Sequence, residues 1–222
     1  MVREVRDNTG RFGNRPHYDP KDLDRLFEKR LSAFFRDTHG KIPSPITTDD
    51  LTRLMEQDTS DFDPGADLSL YGSGVEGVTE FLKVGKPRVR IAADLAYDEV
   101  RENRYRTTLT HEFGHVTLHT YLFQMLETQS DRQQICKRDT IVGAKQADWL
   151  EWQAGYACGA ILMPASLVKQ KAKAFSFDRE LASDTPIRGL AALDLVNLIK
   201  TDFQVSEAAA RVRLSIMGFL GI

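Results

Sequence analysis

The chain has 222 residues, 41% of them hydrophobic and 28% charged, with a formal net charge of −2. That length suits one good-sized domain with an appendage, or two small ones. The charge balance gives no overall attraction to nucleic acid or anionic membranes. No apolar run reaches the length of a membrane span, and the opening MVREVRDNTGRFGNRP lacks the apolar core of a signal peptide, so a cytoplasmic protein is expected. Two cysteines, Cys136 and Cys158, fit a reducing compartment and do not suggest a disulfide scaffold.

Residues 1–16 carry four arginines and little apolar content, which predicts a loose leader. From Lys21 to Arg36, Leu23, Leu26, Phe27, Leu31, Phe34 and Phe35 recur at helical spacing. His39-Gly40 ends that helix, and IPSPI is an extended linker because each proline disfavours helix at the residue before it. Thr48 or Asp49 then caps a short helix, DDLTRLMEQ. Asp58 to Gly74, rich in Asp, Gly and Ser, reads as loop. GVTEFL and PRVRIAADL read as two short strands, the second alternating Val89 and Ile91 with Arg88 and Arg90. A charged turn, YDEVRENRYR, follows, and beyond it the chain is mostly helical. Helices, a small strand region and more helices predict an α+β fold.

Three of the five histidines fall in THEFGHVTLH: His111, His115 and His119. A helix turns about 100° per residue, so His111 and His115 share one face, one turn apart, and can offer ring nitrogens to one zinc ion. Glu112 lies beside that ion without ligating it, placed to take a proton from zinc-bound water. Leu109, Phe113, Val116 and Phe123 form the apolar stripe that buries the helix, with Thr107 or Thr108 as its cap. Gly114 weakens a helix by about 1 kcal/mol relative to Ala, and close approach of another backbone is a reason to keep it. The five residues HEFGH alone fit a zinc site and an ordinary histidine-bearing helix equally well.

A catalytic zinc needs a third protein ligand. His119 lies about 12 Å along the axis from His111, too far to share an ion, and is expected to pack or to support a ligand. DWLEWQAGYACGAILMP reads as a helix from about Asp148 to Met163, stopped by Pro164. Its apolar face is Leu150, Ala154, Ala157 and Ile161. A second face of Glu151, Gly155, Cys158 and Gly159 is small enough for close packing against a neighbour. Glu151 is the candidate ligand, yet Asp148-x-x-Glu151 equally resembles a capping box.

The run from PRVRIAADL through NRYRTTLTHEFGHVTLH to EWQAGYACGAILMP resembles the ImmA/IrrE family of zinc metallopeptidases. Arg106, Thr108, Leu109, His111, Glu112, Gly114, His115, Leu118 and His119 match its first motif. Glu151, Ala154, Ala157, Leu162, Met163 and Pro164 match its second, and DFQVSEAAARVRLSIMGF is similar to its closing segment. The resemblance covers roughly residues 42–220. It implies a zincin-like domain with a small β-sheet, an HExxH helix and a helical C-terminal part. The implied ligands are His111, His115 and Glu151 on Zn2+, with Glu112 as general base. It further implies hydrolysis of a protein substrate, a DNA-binding transcriptional repressor; the lack of a long apolar run and the net acidic charge separately predict no membrane and no direct nucleic-acid contact. The corresponding division is 1–41 (leader and amphipathic helix), 42–170 (peptidase core) and 171–222 (helical segment packing on the core). Two features depart from the family. A polar insert, ETQSDRQQICKRDTIVGAKQ, is expected to shape or cover the cleft, and Gly155 stands where many relatives carry Asn.

A different class of function comes from LAALDLVNLIKTDFQVSEAAARVRLSIMGFL, a helix, turn and helix with Ser206 as N-cap. Arg211 and Arg213 would make it a DNA reader, or a regulatory protein with a residual zinc site. The plainer reading is a hairpin that buries Phe203, Val205, Val212, Leu214, Ile216 and Leu220.

Overall fold

The computed structural model describes residues 2–126, the backbone of 134–138, and residues 148–182 and 185–221. The chain divides into two compact units, Met1–Leu23 with Thr47–Cys158 and Asp24–Ile46 with Gly159–Ile222. The mixture of helices and small sheets is the expected α+β arrangement.

In the first unit the expected loose leader is instead an antiparallel hairpin, β1 (Arg3–Arg6) with β2 (Asn14–His17). Charged strands of this kind show no apolar alternation, and their turn is held by one side chain. Asp7, buried to 5% exposure, accepts hydrogen bonds from the Thr9 and Phe12 amides, the Thr9 hydroxyl and the Trp149 indole. Phe12 anchors the turn, edge-on to Phe123 and Trp149.

Helix α1 (Pro20–His39) starts in this unit and continues into the other. Helix α2 (Thr48–Asp58) is capped by Thr47, one residue earlier than expected, in a reciprocal capping box with Asp50. The segment expected to be loop contains a strand, β3 (Asp61–Ala66), parallel to β5 (Arg88–Ala92). Its Asp, Pro and Gly suit an edge strand, where only one side must supply ladder bonds. Strands β4 (Gly77–Phe81) and β5 fall where the sequence suggested two strands, and they pair antiparallel. Of the polar insert, the backbone of β6 (Gln134–Arg138) pairs antiparallel with β4; the rest of the insert lies outside the described residues. The sheet order is β3-β5-β4-β6.

Short helix α3 (Ala93–Ala96) and a 3-10 turn (Glu99–Arg101) lead into α4 (Glu102–Gln124). Thus α4 begins five residues before Thr107, and neither expected cap is its start. Alternation along β4 turns Gly77, Thr79 and Phe81 toward α4. Gly77 and Thr79 meet Glu112, and the Phe81 ring stacks on Phe123 at 4.1 Å. Helix α5 (Trp149–Leu162) follows.

The second unit contains most of α1, with α6 (Ala165–Asp178), α7 (Gly189–Phe203) and α8 (Glu207–Ile216). Gln204 takes a left-handed conformation (φ 50°) that closes α7, and Ser206 caps α8 by accepting from the Ala209 amide. Phe203, Val205 and Leu214 are buried, as the hairpin reading expects. Val212 and Ile216 are not, at 58% and 51% exposure, because they fall on the outer face of α8. Arg213 is buried, donating to the Met163 carbonyl and ion-paired with Asp24 at 2.7 Å. Arg211 pairs with Glu207. Both arginines of the hairpin therefore hold partners within this unit. Among the described residues no helix is long and apolar enough to cross a membrane.

Candidate metal centre

Glu76, just before β4, fixes the start of α4. Its carboxylate accepts from Arg104 Nε at 2.6 Å, and from Arg101 and the Thr108 hydroxyl at 3.2 Å each. One partner at the N-cap and two in the first two turns set the position and rotation of the helix, and with them the direction in which its histidines point. From Tyr105 to Leu122 nearly every side chain of α4 is buried, so no polar face is left to choose another orientation.

His111 and His115 point the same way, and α5 brings Glu151 to them. His111 Nε2 lies 3.1 Å from Glu151 Oε2, His115 Nε2 lies 3.3 Å from Glu151 Oε1, and the two Nε2 atoms are 3.1 Å apart. A zinc ion with four ligands at about 2.0–2.1 Å separates neighbouring ligand atoms by about 3.3 Å. The three side chains already match that spacing, and two imidazoles and a carboxylate are the ligand types zinc takes. The donor set therefore fits the ion. Glu151 makes these contacts instead of capping its own helix; the Leu150 amide is capped by Asp148. Burial raises the Glu151 pKa, but its close contacts with His111 and His115 outweigh it and hold the carboxyl well below its usual range. Burial likewise opposes the charged form of His111, and hydrogen bonds with Cys158 and Glu151 raise its pKa above the usual value.

Gly114 explains how α5 comes so close. A Cβ there would lie 2.8 Å from Ala157 Cβ and 3.0 Å from Ala154 Cα. The small surface that meets α4 is thus Ala154 and Ala157, with Cys158 beside them. It is not the Gly155 and Gly159 face expected from the sequence. Gly155 is exposed with open space above it.

Glu112 is fully buried beside the cluster. Its Oε2 accepts from the Thr79 hydroxyl at 2.6 Å, while Oε1 has no hydrogen-bond partner among the described residues. A Cβ at Gly77 would lie 2.5 Å from Oε1, so only glycine leaves room for the carboxylate. His119, with zero exposure, supports His115 through a 2.9 Å contact between their Nδ1 atoms, and its Nε2 meets Gln153 Oε1 at 3.0 Å. Burial and the neighbouring His115 ring push the His119 pKa well below the ordinary value.

Sequence reasoning missed Thr79, Gly77, Gln153 and Glu76. The one available signal was polarity: Thr79 and Gln153 interrupt segments that otherwise bury apolar residues. Nothing in their spacing connects them to the HEFGH helix.

A His-Glu-x-x-His helix laid under a small sheet, with a carboxylate delivered from the next helix, defines a zincin-like domain. Comparison with protein families agrees: residues 95–215, more than half of the chain, match the model of the IrrE N-terminal-like domain, a peptidase family. The chain belongs to that family, as its resemblance to ImmA/IrrE peptidases implied. No curated protein matches it.

Proposed function

We propose that the protein is a zinc-dependent endopeptidase in which His111, His115 and Glu151 hold the ion and Glu112 is the general base. The convergence of those three side chains beside a buried carboxylate is the observation that carries this reading. When bound, zinc supplies a water acidified toward neutral pH and polarises the scissile carbonyl. Glu112 receives the proton of the attacking water on Oε1, the oxygen left open, and then donates it to the leaving nitrogen. Thr79 keeps Oε2 occupied, so the carboxylate has one orientation in which to do this. Glu151 stays ionised, as a ligand must.

Membership of a peptidase family makes the substrate a protein. The ImmA/IrrE resemblance supports a DNA-binding transcriptional repressor as that protein, acting in the cytoplasm. The alternative, a DNA reader built on the C-terminal hairpin, loses support because Arg213 is buried against Asp24. The test is metal analysis of protein purified without chelator, combined with co-expression beside repressor-type proteins encoded near the gene. About one zinc per chain is expected, with repressor cleavage that disappears in Glu112→Gln while zinc is retained. Absence of metal, or full proteolysis by Glu112→Gln, would sink the reading.

A further inference from the structure

His119 and Gln153 are buried polar residues that the proposed reaction does not use. His115, His119 and Gln153 form a chain of two hydrogen bonds, His115 Nδ1 to His119 Nδ1 at 2.9 Å and His119 Nε2 to Gln153 Oε1 at 3.0 Å. We propose that His119 and Gln153 are positioning residues that hold His115 as its Nδ1–H tautomer, which turns the Nε2 lone pair toward His111 and Glu151.

Proton counting fixes the direction of this chain. A neutral imidazole has one N–H donor and one acceptor nitrogen. An amide oxygen only accepts, so the Gln153 oxygen takes the proton of His119 Nε2. That leaves His119 Nδ1 as an acceptor. Among the described residues the group facing it is His115 Nδ1, which then carries the proton. Each step fixes the next, and the last step leaves His115 Nε2 unprotonated. The reverse direction would put a proton on His115 Nε2, between the His111 ring and Glu151, where a metal ligand cannot have one. The contacts are direct, at 2.9 and 3.0 Å, and His115, His119 and Gln153 are shielded from bulk solvent. The Trp149 ring stands edge-on to His119 at 5.7 Å and holds it in plane. Gln153 lies two residues beyond Glu151 on α5, so one helix delivers both the third ligand and the group that sets the tautomer of the second.

This inference rests on the zinc reading, and its test separates the two. The full-length protein is titrated with zinc against a chelator of known affinity, and the imidazole protons of the zinc-loaded wild type are located by nitrogen NMR. Protons are expected on Nδ1 of His115 and on Nε2 of His119. His119→Phe and Gln153→Leu are expected to bind zinc about 10–100-fold more weakly. Gln153→Glu, which keeps an acceptor oxygen, should stay within about threefold of wild type. Unchanged zinc affinity in His119→Phe would overturn the proposal, as would a proton on Nδ1 of His119 in the zinc-loaded wild type. The NMR measurement needs no variant and decides the matter even where a substitution prevents folding. A wild type that binds no zinc would overturn the metal reading itself. Bound zinc with the opposite proton placement would overturn this inference alone.

Discussion

Gly114 and Ala157 bring α4 and α5 into contact so close that a single added methyl group would overlap, 2.8 Å from Ala157 Cβ and 3.0 Å from the Ala154 backbone. Two effects of Gly114→Ala oppose each other. Helix propensity favours Ala by about 1 kcal/mol. Overlap with a neighbouring backbone costs about 1–3 kcal/mol, because Cα atoms cannot rotate away as a side chain can. The overlap wins, and it acts on the helix that carries Glu151. Gly114→Ala is therefore expected to lower the unfolding temperature and to weaken zinc binding together. Thermal unfolding and metal titration of the same sample check this; a more stable variant with full zinc affinity would contradict it.

Thr79 and Glu112 supply a test that separates chemistry from metal binding. Thr79→Val keeps the shape of the side chain but removes the hydroxyl that donates to Glu112 Oε2 at 2.6 Å. A hydrogen bond to a charged group contributes about 1.5–3 kcal/mol, so turnover is expected to fall by about 10–100-fold. Zinc content should stay at the wild-type level, since Thr79 touches none of the three ligands. Gly77→Ala is expected to act in the same direction by pushing on Oε1. Peptidase assays paired with metal analysis read both.

Chelation offers a third check. A metal that binds the folded chain stabilises it by mass action, so stripping zinc should lower the unfolding temperature and abolish proteolysis. Restoring zinc should return both. The chain should not unfold outright, because His111, His115 and Glu151 hydrogen-bond one another and are not left as uncompensated buried groups.

Asp7 sets the acid limit of the N-terminal hairpin. Burial alone would raise its pKa, but the hydrogen bonds from Thr9, Phe12 and Trp149 outweigh that and lower it from 3.8 to about 2. A depressed folded-state pKa means that its contribution is complete above the unfolded value and is lost as pH falls through the folded one. The hairpin is therefore expected to loosen between about pH 4 and pH 2, followed by Trp149 fluorescence. Asp7→Asn keeps one acceptor oxygen where two serve four donors, and is expected to cost about 2–3 kcal/mol at neutral pH. An acid profile identical in wild type and Asp7→Asn would remove Asp7 as the cause.

What the sequence by itself determined is what depends on neighbours within a turn or two. The helical repeat places His111 and His115 on one face whatever surrounds them, and the same regularity excluded His119 as a ligand by distance along the axis. The Ser206 cap and the alternation of β5 were legible for the same reason. Gly114 announced a close approach, but not to what. The hairpin of residues 3–17 and strand β3 were not legible, since their pairing comes from a buried Asp7, an anchored Phe12 and a neighbouring β5 and not from any apolar rhythm of their own. Only the tertiary structure decided which alanines meet Gly114, that Thr79 holds Glu112, and that Gln153 completes the chain behind His115. These contacts join residues more than thirty positions apart, and their register is set by how two buried surfaces fit.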